Sequence, residues 1–144
     1  MKNVFLCRRG VSALRAAQLV LCLMVMGTAI NNTFGQTAWK APASANTYKN
    51  PYAGKTAATA AGKTLYGQMC AICHGDKGKG DGLAGMTLNP RPANFKKDEI
   101  QAQSDGAMYW KITEGRAPMA TYKDALTEEQ RWQLVNYIRQ LGGK

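Results

Sequence analysis

Apolar residues recur at helical spacing in three stretches of the chain, and the last is the clearest. Leu134, Tyr137, Ile138 and Leu141 fall at i, i+3, i+4 and i+7, one face of a helix. Thr127 and Gln130 form a capping box at its start, Glu128 and Glu129 lie in its positive first turn, and Gly142-Gly143 stop it. A second helix is predicted from Asp105 to about Glu114, capped by Ser104 and ended by Gly115. Met108 and Ile112 share its inner face, and Trp110 is placed to pack on a ring. A third runs from about Ala57 to Met69, with Leu65, Tyr66 and Met69 at i, i+1 and i+4. Gly62 sits four residues before Tyr66 on the same face. Glycine inside a helix costs about 1 kcal/mol relative to alanine; close approach of another helix would account for it, and frayed early structure is the alternative.

The connecting stretches are polar or broken by glycine and proline. Gly75-Asp76-Lys77-Gly78-Lys79-Gly80-Asp81-Gly82 reads as a tight loop. It lacks the Gly-Lys-Ser/Thr ending and following helix of a phosphate cradle. Pro90 and Pro92 fix an extended path through Leu88–Phe95, and Glu114–Tyr122 is a non-helical loop. Residues 36–55, rich in Ala, Asn, Thr and Pro, show no apolar period and read as an exposed tether. Trp39, Tyr48 and Tyr52 would instead let it dock as a strap.

The first 35 residues look like an export signal. Lys2, Arg8, Arg9 and Arg15 make a positive start, and Ala16–Ile30 is uncharged and mostly apolar. Small-residue cleavage sites follow at Gly27-Thr28-Ala29 and Thr33-Phe34-Gly35, the second being preferred, so that Gln36 becomes the first residue. The alternative is an uncleaved anchor, but the apolar run is shorter than the roughly 20 residues a spanning helix needs. A lipoprotein reading through Cys22 is weak, because Leu21 is larger than such sites accept. The expected organisation is a signal peptide at 1–35, a tether at 36–55 and one domain at 56–144.

Removing 35 of the 144 residues leaves 109, a core that is marginal without help. Nineteen basic residues, less the four in the leader, stand against nine acidic ones, a net charge of +6. No Lys/Arg cluster with interleaved aromatics suggests nucleic acid, so an acidic protein partner fits the basic charge better.

The chemistry centres on Cys70-Ala71-Ile72-Cys73-His74, the attachment pattern of a c-type haem. Each thiol can add across one porphyrin vinyl group, and one turn of backbone lets both reach. The next residue then comes beneath the ring, where imidazole can bind iron. His74 is the only histidine in the chain. A redox dithiol would sit in a strand–helix context that is missing here, and structural zinc wants four ligands. With Cys7 and Cys22 assigned to the leader, two thiols and one imidazole remain. Haem ligation to thiols takes place outside the bacterial cytoplasm, which agrees with the leader. A carbonyl from the proline-fixed segment could fix the tautomer of His74; a plain rigid loop is the equal alternative.

The sixth iron ligand must come from Met69, Met86, Met108 or Met119. Met69 abuts the attachment site and faces away, and Met108 reads as helix core. Met119 follows Pro118 in an irregular loop that can bend a thioether toward the metal, and it is favoured. Met86, in a glycine loop, is the runner-up. A thioether favours ferrous iron and raises the potential relative to a second imidazole. A six-coordinate iron has no open site, which argues for electron transfer over oxygen chemistry.

Several segments resemble class I bacterial cytochromes c: Gly-Lys-Thr-Leu-Tyr at 62–66, Cys-Ala-Ile-Cys-His-Gly at 70–75 and Gly-Lys-Gly-Asp-Gly at 78–82. Pro-Arg-Pro-Ala-Asn-Phe at 90–95, Ala-Pro-Met-Ala at 117–120 and the Leu-Thr-Glu-Glu-Gln…Trp…Leu-Val-Asn-Tyr-Ile-Arg ending complete the resemblance. It covers roughly 56–143 and leaves 36–55 outside. It implies an all-α, cytochrome c-like fold of three to four helices around one covalent haem c. The first and last helices would cross near Gly62, Tyr66, Leu134 and Tyr137, and His74 and Met119 would be the axial ligands. The expected function is a periplasmic monohaem electron carrier, not an enzyme in itself, serving redox protein partners. Lys77, Lys79, Arg116 and Lys123 could form a basic rim toward acidic partners. The membrane would be involved only if residues 16–30 stay attached. The rival readings are a haem subunit of a larger dehydrogenase or quinol-oxidising complex, and a small haem enzyme or sensor opened by loss of Met119.

Overall fold

The computed structural model describes residues 38–144, and the expected leader lies outside them. Five helices follow in order: α1 Thr56–Met69, α2 Ala71–His74, α3 Asp98–Gln101, α4 Asp105–Glu114 and α5 Glu128–Leu141. Short 3-10 turns at Ala43–Thr47 and Leu83–Gly85 complete the regular structure, and no strand occurs among the described residues. The fold is all-α, as the resemblance implied.

The caps read from the sequence are made. The Ser104 hydroxyl accepts from the Ala107 N–H at the start of α4. Thr127 and Gln130 complete a reciprocal capping box on α5. Each satisfies backbone donors that have no partner inside the helix.

The helices α1 and α5 cross at Gly62, where a Cβ would collide with the Gln133 carbonyl of α5. This close approach explains why a glycine stands inside a helix. Around the crossing, Tyr66, Leu134 and Val135 are fully buried. Met108 and Ile112 of α4 join them, as do Leu126 and Trp132. Burying each large apolar side chain stabilises the fold by about 1.5–3 kcal/mol. Tyr66 packs edge-on against Tyr137 at 5.1 Å.

Polar side chains seat the remaining elements. The buried Gln101 amide of α3 donates to the carbonyls of Phe95 (2.7 Å) and Ile138 (3.1 Å). Arg139 of α5 pairs with Asp105 at 2.7 Å and donates to the carbonyls of Gln101 and Gln103. These bonds fix the α3–α4 corner on α5.

The segment expected to be an exposed tether is docked instead over its described part, 38–55. Ala45 is fully buried, and Gly106 of α4 permits the contact, because a Cβ there would meet the Ala45 carbonyl. The Asn50 amide donates to Asp105 (2.9 Å) and to Asn136 (2.8 Å), while the Asn136 amide donates to the Tyr52 carbonyl (2.7 Å). Polar side chains at irregular spacing make this attachment, so no apolar period marked it. The one-turn helices α2 and α3 also escaped the pattern, since four residues are too few to show a 3.6-residue period.

Candidate haem site

Cys70 stands at the junction of α1 and α2, its N–H donating to the Tyr66 carbonyl at 2.9 Å. Within α2, the N–H groups of Cys73 and His74 both donate to the Cys70 carbonyl, at 3.2 and 2.8 Å. One helical turn therefore puts Cys70, Cys73 and His74 at i, i+3 and i+4, on a common face. Both cysteines are free thiols, partly buried. Burial, followed by the neighbouring Cys73, pushes the Cys70 thiol up to about 11, so it stays neutral at physiological pH.

The glycine loop closes on the end of α2. Gly75 adopts φ 77°, a left-handed conformation that suits glycine. The Gly80 N–H returns to the His74 carbonyl at 2.8 Å, and the Tyr66 hydroxyl donates to the Gly75 carbonyl at 2.7 Å. Phe95, whose N–H bonds the Gly78 carbonyl, stacks on the His74 ring with centroids 4.6 Å apart and planes at 15°. Burial lowers the pKa of His74, and the Ala93 carbonyl opposes that shift. Ala93 belongs to the proline-fixed segment, the candidate source of such a carbonyl. It does not meet hydrogen-bond geometry: His74 Nδ1 is buried with no hydrogen-bond partner among the described residues. Ala93 is therefore a neighbour of the ring rather than its hydrogen-bond partner.

The Met119 loop reaches the same region. Arg116 and Met119 clasp a tight turn through reciprocal backbone bonds of 3.0 and 2.9 Å. Beyond it, the Thr121 hydroxyl donates to the Thr113 carbonyl (2.6 Å) and the Tyr122 N–H to the Ile112 carbonyl (3.2 Å). The Tyr122 hydroxyl points to the Met69 carbonyl at 3.4 Å. Burial first, then the nearby Cys70 and Cys73, raise its pKa. Tyr122 thus ties the end of the methionine loop to the last residue of α1, next to Cys70.

Of the four methionines, Met108 is core, at 5% exposure, and Met69 packs against the core. Met119 is half-buried against the same cluster, whereas Met86 is 51% exposed. Lys77, Lys79 and Lys123 are exposed, but Arg116 is half-buried with its guanidinium over the Trp39 ring. Sequence reasoning missed Tyr66, Phe95 and Tyr122 as parts of this site. Tyr66 carried a signal, its spacing from Gly62; the other two act through contacts across the chain.

Residues 57–138 match the family described as "Cytochrome C oxidase, cbb3-type, subunit III". The chain belongs to this family of c-type cytochromes. It is 32% identical to cytochrome c550 of Pseudomonas aeruginosa over 99 residues, 65% of this chain and 62% of that protein. Among solved structures it resembles a chain of the reducing HAO-like protein complex Kustc0457/Kustc0458 of Kuenenia stuttgartiensis. The TM-score is 0.50 at 32% identity, over 56% of this chain and 41% of that one. The KustC0563 c-type cytochrome aligns at 34% identity with a TM-score of 0.48, over 56% of this chain and 95% of that one. The chain spans less than two thirds of the length of the cytochrome c550 and of the complex's chain.

Covalently bound haem c is the cofactor of this cytochrome family. The residues present fit it. Two free thiols and an imidazole share one helical turn, and the imidazole's Nδ1 is buried without a hydrogen-bond partner among the described residues. The half-buried Met119 thioether would offer a soft neutral donor.

Proposed function

We propose that this cytochrome is an exported monohaem electron carrier, with Cys70 and Cys73 as the covalent anchors and His74 and Met119 as the axial ligands. The observation that carries the reading is the single turn of α2, which sets both thiols and the imidazole on one face. Haem c supplies the one-electron Fe(III)/Fe(II) couple. The chain's part is to hold donors still, so that little rearrangement accompanies the change of charge. Phe95 stacks on the His74 ring, the Tyr66–Gly75 bond ties down the end of α2, and the reciprocal Arg116–Met119 bonds hold the thioether turn. With His74 and Met119 both bound, the iron would have no open site for oxygen chemistry.

The periplasm is the proposed location, supported by the basic-then-apolar start of the sequence and by the compartment in which haem is joined to thiols. No helix among the described residues is long and apolar enough to cross a membrane. The exposed Lys77, Lys79 and Lys123 favour acidic redox partners. A second reading, a haem subunit of a larger oxidoreductase, is favoured by the family's own description as a subunit and by the complex named for one structural relative. A partner that co-purifies at one-to-one stoichiometry would select it.

The ligand assignment is tested by the ferric absorption spectrum of the exported protein beside Met119→Leu and Met86→Leu. The weak long-wavelength thioether–iron band should vanish in Met119→Leu, with a lower reduction potential, and persist in Met86→Leu. The opposite pattern would make Met86 the ligand.

A further inference from the structure

The family match begins at residue 57, so it does not account for the strap at 38–55. The strap lies along α4 and engages both ends of that helix. At the start of α4, Ala45 is buried against Gly106, the Ser104 hydroxyl donates to Asn46, and the Asn50 amide donates to Asp105. At the other end, the Trp39 ring meets two cations, Lys111 Nζ at 5.4 Å and the Arg116 guanidinium carbon at 5.2 Å from its centroid. These cations are close enough to interact: Lys111 is shifted down by burial and then by Arg116. An electron-rich indole face offsets their repulsion.

Arg116 is also the residue whose N–H and carbonyl both bond Met119. Ala117, Pro118 and Ala120 are exposed, so these two bonds and the packing of Met119 against the core hold the turn. We infer that Trp39 is a positioning residue for the Met119 turn, acting through Arg116. The inference rests on the proposed ligation by Met119. The anchored strap presents the indole, the indole fixes the guanidinium, and the two Arg116–Met119 backbone bonds keep the thioether in place. Loss of the ring gives the turn more open conformations, and a ligand that needs the open turn gains by that population shift.

The test titrates the ferric holoprotein with imidazole, following loss of the long-wavelength thioether band. Trp39→Ala should bind imidazole about two- to five-fold more tightly, the worth of one such partly exposed cation–π contact. Trp39→Phe, which keeps an aromatic face, should recover most of the difference, and Lys40→Ala should match the native protein. Trp39→Ala combined with Arg116→Gln should bind no tighter than Arg116→Gln alone. Unchanged imidazole affinity in Trp39→Ala with the thioether band present overturns the inference and leaves the ligand reading standing, even if the melting temperature falls. Additive effects in the double variant overturn the route through Arg116. A native protein without the band, or a band that survives Met119→Leu, overturns the ligand reading together with this inference.

Discussion

Tyr66 shows how one side chain links the helix crossing to the haem site. Its ring is buried between Tyr137 and Phe95, and its hydroxyl reaches out of the core to the Gly75 carbonyl, one residue beyond His74. Tyr66→Phe keeps the ring and removes that bond while the Gly75 carbonyl retains the Gly78 N–H at 3.0 Å, so stability should fall by about 0.5–1.5 kcal/mol in denaturant titration. The pH dependence has a definite sign. Burial, then Cys70, Tyr137, Asp76 and Asp81, raise the Tyr66 pKa above its ordinary value. The Cys70 contribution disappears once that sulfur is a thioether, but burial remains. A raised pKa means the stabilisation is fully present below the unfolded value of about 10 and is lost as pH climbs through the folded value. The stability gap between native protein and Tyr66→Phe should therefore be constant through neutral pH and narrow above about pH 10. A gap that stays constant to higher pH would show that the phenol is not held neutral by the fold.

Among the elements, α1 and α5 depend on each other more than on their own propensities. Gly62→Ala improves intrinsic helix propensity by about 1 kcal/mol. The added methyl group would strike the Gln133 carbonyl, which is backbone and cannot rotate away. Overpacking of this kind costs about 1–3 kcal/mol or more, so we expect a net drop in melting temperature of the holoprotein. Gly67→Ala is the internal comparison: nothing lies near a Cβ there, and that variant should be neutral or slightly more stable. Equal behaviour of the two variants would mean that the helices do not approach as closely as described. The same reasoning explains what could be read of this pair beforehand. A glycine on an apolar helix face signals a close neighbour, while the identity of that neighbour, Gln133, depends on the crossing itself.

For the molecule as a whole, the strap turns a helical domain into one whose N-terminal segment braces α4 and α5 together. Asn50 is its central tie, joining Asp105 on α4 to Asn136 on α5. Asn50→Ala removes both bonds and should cost about 1–3 kcal/mol of stability in urea titration of the holoprotein. The thioether band should remain, because the Asn50 side chain bonds Asp105, Asn136 and the Tyr52 N–H rather than Met119 or its turn. Unaltered stability would mean that the strap rests on the surface without bracing it.

The sequence alone determined the features encoded locally. These are the Cys70–His74 attachment pattern, the capped helix after Thr127, the Ser104 cap, the glycine loop and the signature of Gly62. Each depends on residues within a few positions of one another, where bond geometry and hydrogen-bond reach leave few options. Tertiary structure decided the rest. Docking of residues 38–55 depends on Asn46 and Asn50 meeting residues more than 50 positions away. The stacking of Phe95 on His74 and the placing of Arg116 over Trp39 likewise have no local pattern. Polar ties and ring contacts of this kind carry no period along the chain, because their geometry exists only once the helices have packed.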